Sequence, residues 1–197
     1  ELVPGRTITA EGLTLTANPA GLRIEGPGRI GQVPFDVAFT QSFSPDQRGK
    51  SRVEGTASLS PATVAEFGLG LPQGMVSGAG TANVAIDLER DAPGRLRLTS
   101  DLAGIGLTLP AVGWTKTTGG SGRLEVEAIL GPVPQITRLA VQGGGLEATG
   151  DITLLDGGGL QRARFNAVRL NGWLNGPVTL TGRGAGRAPD VAVTGGT

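Results

Sequence analysis

Large apolar residues occupy every second position over long stretches of this chain. Val33, Phe35, Val37 and Phe39 alternate with Pro34, Asp36, Ala38 and Thr40, and Val53, Gly55, Ala57 and Leu59 alternate with Arg52, Glu54, Thr56 and Ser58. The same period of two runs through Ala82, Val84, Ile86 and Leu88, through Leu96 and Leu98, through Leu124, Val126, Ala128 and Leu130, and through Leu146, Ala148, Ile152 and Leu154. Successive side chains of a strand point to opposite faces, so each run predicts a strand with one oily face and one wet face.

Punctuation falls between the runs. Asn18-Pro19-Ala20-Gly21, Gly26-Pro27-Gly28, Asp91-Ala92-Pro93-Gly94, Gly131-Pro132-Val133-Pro134, Gly143-Gly144-Gly145 and Gly157-Gly158-Gly159 all read as reversals. Strand, turn and strand at such short spacing predict antiparallel hairpins and meanders, with no βαβ units. One short helix is expected: Ser60 caps it, Pro61 suits its first turn, Ala62 to Phe67 follow, and Gly68 ends it. The alternation changes phase near Arg138-Leu139 and near Ala167-Val168, where a bulge would bend the strand. Gly also precedes several alternating runs, at Gly55, Gly80 and Gly150, but at irregular intervals, so no strict solenoid repeat is present.

Composition changes this picture little. Gly supplies 35 and Pro 13 of the 197 residues, a joint share that approaches disorder-prone territory, yet the alternation has no use in a disordered chain. Aromatics are scarce, five Phe and two Trp with no Tyr, which suits a thin sheet better than a thick core. Formal net charge is zero, with a basic excess past residue 160 (Arg162, Arg164, Arg169, Arg183 and Arg187 against Asp190) that reads as solvated strand-face charge, not a nucleic-acid site. With no Cys and no His, thiol catalysis, Cys/His zinc sites and imidazole-dependent triads are excluded. No apolar run approaches the roughly 18 residues that a membrane-spanning helix needs. The chain is read as one β-rich segment, residues 1–197, of a longer protein.

Candidate chemistry is thin. Gly26-Pro27-Gly28-Arg29-Ile30-Gly31 fits G-x-G-x-x-G, but a Pro interrupts it and a strand follows where a phosphate loop needs a helix. Gly119-Gly120-Ser121-Gly122-Arg123 lacks the final Gly of a nucleophile elbow and any His base. Glu125 with Glu127, and Asp87 with Glu89, are carboxylates on one strand face, where solvated charge is the plain reading against a glycosidase pair. No enzyme activity, cofactor or metal is expected. The segment Leu107 to Lys116 holds a Trp and a Lys in Pro/Gly text and reads as a loop anchored on a sheet edge.

At that segment the chain resembles a known family. Pro110-Ala111-Val112-Gly113-Trp114-Thr115-Lys116 followed by Gly119-Gly120-Ser121-Gly122-Arg123-Leu124 resembles a signature of the AsmA-like proteins of the YhdP type. Gly28 to Val37 resembles their strand over the groove, and Ser60 to Gly68 with Leu71 to Gly78 resembles the short helix and re-entry strand that follow it. The resemblance covers roughly residues 5–155; residues 156–197 are expected to continue the strands. These proteins are similar to TamB and to bridge-like lipid transfer proteins. The resemblance implies an elongated, bent antiparallel sheet, a groove or taco-like meander with one short helix. It also implies a periplasmic place in the Gram-negative cell envelope, an inner-membrane anchor outside this segment, and phospholipid transfer to the outer membrane. It brings no catalytic residues.

On that reading the acyl chains of phospholipid would meet Val33, Phe35, Val37, Phe39, Leu59, Val84, Ile86, Leu88, Leu96, Leu98, Leu124, Val126, Ile152 and Leu154. The same positions would line the core of an ordinary β-sandwich, which is the alternative fold. That alternative carries its own function, a structural or adhesive β-rich module with a closed core.

Overall fold

The computed structural model describes residues 7–156, 158–184 and 187–194. Its strands are β1 (Ile8–Ala10), β2 (Thr14–Asn18), β3 (Gly21–Ile30), β4 (Val33–Ser42), β5 (Lys50–Leu59), β6 (Val76–Gly78), β7 (Gly80–Glu89), β8 (Arg95–Ser100), β9 (Ile105–Leu109), β10 (Trp114–Lys116), β11 (Gly122–Ile129), β12 (Gln135–Gly143), β13 (Leu146–Leu154), β14 (Leu160–Leu170), β15 (Leu174–Thr181) and β16 (Asp190–Val193). One α-helix, α1 (Pro61–Glu66), follows β5, and short 3-10 turns lie at Pro45–Gln47 and Pro110–Val112.

Thirteen strands form one antiparallel sheet in the order β1-β3-β4-β5-β7-β8-β11-β12-β13-β14-β15-β16, with β2 pairing the other half of β3. The sheet does not close on itself. The three remaining strands, in the order β10-β9-β6, form a small second sheet. The architecture is therefore the expected long antiparallel meander with one short helix. It is not a sandwich of two comparable sheets.

The sheet bends where the backbone permits it. Gly26 and Gly55 take φ of 145° and 157° in mid-strand, a region close to glycine-only, and they flank Val37 in register. Register shifts between Ile136 and Leu139 in β12 and between Phe165 and Val168 in β14 confirm both bulges expected from the phase changes. Glycine kinks and bulges together give a sheet its curvature. The expected reversal at Gly26-Pro27-Gly28 is corrected: these residues lie inside β3, and the turn falls at Gly31-Gln32. Pro27 is tolerated there because β2 pairs β3 only as far as Glu25 and β1 resumes at Gly28, so no ladder partner awaits the missing N–H. Of the Gly157–Gly159 reversal, Gly157 lies outside the described residues.

Helix α1 forms as its sequence dictates. The Ser60 hydroxyl accepts from the Thr63 amide at 3.4 Å, the Thr63 hydroxyl accepts from the Ser60 amide at 3.2 Å, and Pro61 takes the first turn. Gly68, at φ 57°, ends it.

The segments 60–79 and 101–121 are insertions that leave the main sheet from the same ends of its strands, and β6 pairs β9 to join them. They build a roof over part of the sheet. The Leu107–Lys116 segment is thus not an edge loop, and this corrects the sequence reading. It forms two roof strands, and Trp114 packs on the face of the sheet in one buried cluster with Leu146, Ala148, Val168, Leu170 and Val178.

Candidate functional site

Residues paired directly across an antiparallel ladder share a face, so the registers show where the oily positions meet. One row runs Ile24, Phe39, Val53, Ile86, Leu96, Ala128, Ile136, Ile152, Ala163, Leu180 and Val191, from β3 to β16, without a polar side chain. The neighbouring row runs Gly26, Val37, Gly55, Val84, Leu98, Val126, Leu139, Gly150, Phe165, Val178 and Val193, again with no polar member. At ~4.8 Å per strand each row is roughly 48 Å long.

All of the expected apolar-face positions lie on this one side. Val33, at 3% exposure, and Leu154, at 8%, are buried, whereas Phe35, Val37, Phe39, Leu59, Val84, Ile86, Leu88, Leu96, Leu98, Leu124, Val126 and Ile152 are half-buried. The sequence reading placed Val53 on an oily face without counting it among the lipid contacts, and it missed Ile24, Ile136, Leu139, Phe165, Val178, Leu180, Val191 and Val193 as members of the rows. Gly26-Pro27-Gly28 hid the continuity of β3, and the two bulges hid the phase of β12 and β14.

The opposite face is charged. Arg52 pairs with Glu54 and, across the ladder, with Asp87; Arg97 lies 3.7 Å from Glu127, Arg138 3.7 Å from Glu125, and Arg169 3.5 Å from Glu147. Glu54 first and then Asp87 hold the Arg52 guanidinium above its ordinary pKa. These pairs are exposed and contribute little stability, but they mark this face as the solvated one. The basic C-terminal residues belong to it: Arg162, Arg164 and Arg169 are exposed on β14, and Arg183 lies 3.6 Å from Asp190. Shallow depressions of about 490 and 550 Å³ open largely among polar residues, including Gln142, Glu147 and Arg169 in one and Asn83, Thr99 and Glu125 in the other.

The roof divides the oily face in two. Over β12–β15 it makes a dry core in which Leu107, Leu109 and Val112 join the buried cluster around Trp114. At the joint, Lys116 is buried at 1% exposure, and its ammonium donates to the carbonyls of Gly120 at 2.6 Å, Leu102 and Ile105 at 2.8 Å, and Thr117 at 3.2 Å. Its stem lies against Gly122 and Gly143, where a Cβ would sit 3.0 and 3.2 Å from the lysine carbons. Along β3–β8 the large residues of the two rows remain half-exposed. Here the sheet presents an apolar trough with no titratable side chain in either row, a surface suited to hydrocarbon and unsuited to acid–base chemistry.

Among the described residues no group of His, Cys, Asp or Glu side chains is placed to hold a metal ion. No helix among them is long and apolar enough to cross a membrane. No protein-family model, curated protein or solved structure matches the chain.

Proposed function

We propose that this chain is a module of a hydrophobic β-groove that conducts phospholipid across the periplasm between inner and outer membranes, held at the inner membrane by a part outside the segment. The observation that carries the reading is the pair of uninterrupted apolar rows from β3 to β16, backed by a charged outer face. An acyl chain moved through water loses about 0.8 kcal/mol per methylene, roughly 12 kcal/mol for sixteen carbons. Along β3–β8, where the roof leaves the two rows half-exposed, the apolar surface offsets most of that cost. The sequence resemblance to AsmA-like proteins of the YhdP type supports the same reading.

A second reading, a structural or adhesive module with a closed core, is favoured by one observation: the buried cluster around Trp114. Photo-crosslinkers placed at Val37 and Ile86, in cells and in the full-length protein, separate the two. Controls at Asp36 and Asp87 sit on the opposite face. Phospholipid adducts at the first pair alone are expected for the trough. Adducts only to other side chains of the same chain would overturn it in favour of the closed core.

A further inference from the structure

Because the main sheet is antiparallel, its turns fall on two rims. The turns 31–32 and 144–145 and both insertions share one rim, and the turns 43–49, 90–94 and 130–134 and the residues Leu155, Asp156, Gly158 and Gly159 share the other. The segment after β5 starts at the first rim and touches both. The Glu66 carboxylate accepts the Gln32 amide at 3.3 Å on the first rim, and the Gly68 carbonyl accepts the Gly159 amide at 3.0 Å on the second. From Ser60 to Gly68 the chain spans no more than about 16 Å, since it is a six-residue helix whose end turns back through Phe67 and the left-handed Gly68. A ten-residue strand is about 33 Å long, so the sheet must curl to bring its rims within this reach.

The second attachment is built from glycine. A Cβ on Gly70 would sit 2.9 Å from the Gly159 Cα and 3.0 Å from the Leu160 nitrogen, and a Cβ on Gly158 would sit 3.2 Å from the Gly68 carbonyl oxygen. Two backbones thus touch without side chains between them. One backbone hydrogen bond and bare backbone packing make a weaker joint than a buried apolar cluster, and such joints open locally before the rest of a fold. Beyond the joint, Leu71, Pro72, Gln73 and Gly74 are exposed.

We propose that residues 66–71 form a strap across the mouth of the trough, clasped on the Gly158–Gly159 turn, and that lipid loads when this glycine clasp opens. The inference rests on the lipid-trough reading. While clasped, the strap lets an acyl chain lie beneath it but bars a headgroup from entering sideways at that point.

The test uses the purified chain and vesicles of phosphatidylethanolamine bearing one photoactivatable palmitoyl chain. Gly70→Val should force the clasp open, since the clash is with backbone. Gly131→Val, where nothing lies within 4 Å, is the control. Gly70→Val should speed hydrogen exchange at the Gly159 amide at least about fivefold while β13 amides stay protected. It should also raise the rate of lipid adduct formation. Unchanged exchange overturns the clasp. Altered exchange with unaltered loading of a lipid-binding wild type overturns the gate. No adduct in any variant, wild type included, overturns the trough reading and the gate with it.

Discussion

Trp114 donates its indole N–H to the Gly144 carbonyl at 2.8 Å, and this bond fastens the roof to the turn between β12 and β13. The fit requires glycine: a Cβ on Gly144, which has φ 56°, would sit 3.2 Å from the indole nitrogen. Trp114 is also the largest member of the buried cluster over β12–β15. Trp114→Ala is expected to cost about 3–5 kcal/mol in urea unfolding, and Trp114→Phe, which keeps most of the packing but loses the bond, about 1–2 kcal/mol. The other tryptophan, Trp173, is 58% exposed. Acrylamide should therefore quench Trp173 strongly and Trp114 weakly in single-tryptophan variants.

Lys116 should behave as a structural cation. An ammonium has three protons, and the carbonyls of Leu102, Ile105 and Gly120 lie closest to receive them. Lys116→Met preserves the stem but leaves those carbonyls without their donor, at an expected cost of about 2–4 kcal/mol in thermal or denaturant unfolding. The only other lysine, Lys50, is exposed. An amine-reactive ester should label Lys50 readily and Lys116 only after unfolding, as read by peptide mass spectrometry.

The sequence made some of this legible and hid the rest for physical reasons. The strand faces, the Ser60 cap and the bulges in β12 and β14 are local features, written in residues close together in the chain. The roof is not. Val76–Gly78 pairs with Ile105–Leu107 because two insertions meet in space, and no period in either segment announces it. The Lys116 cage is hidden for another reason: its partners are backbone carbonyls, which any residue supplies. Gly122, Gly143 and Gly144 are the trace it leaves, since each keeps space clear for Lys116 or Trp114, yet among 35 glycines that trace cannot be singled out.

The open and roofed halves of the oily face should answer differently to one added charge. Ile86 is half-buried on the open half, whereas Val168 is 7% exposed beneath the roof. A carboxylate at position 86 can turn its head to water, so Ile86→Glu is expected to lose about 1–2 kcal/mol and stay folded. A carboxylate at position 168 has no such exit, and Val168→Glu is expected to lose more than about 4 kcal/mol or fail to fold. Circular dichroism with urea titration reads both. If the lipid reading holds, Ile86→Glu should also abolish phospholipid adducts at Val37 while leaving the sheet intact.

Gly55 tests whether the bend itself depends on glycine. It sits in mid-strand opposite Val37 and Val84, at φ 157°, and a Cβ there would run into the carbonyl of Asp36 and lie 2.6 Å from the Val37 Cα. Neither neighbour is a flexible side-chain tip, so β4 must move away from β5 to admit even a methyl group. Gly55→Ala is expected to destabilise the protein by about 2–4 kcal/mol, against no more than about 0.5 kcal/mol for Gly119→Ala, where nothing lies within 4 Å. If the trough is shaped by this crease, Gly55→Ala should also flatten it and increase the exchange of the Gly159 amide, because a flatter sheet carries the two rims apart. Equal stability of the two alanine variants would mean that β4 and β5 can separate at no cost and that the crease is set elsewhere, by the bulges of β12 and β14.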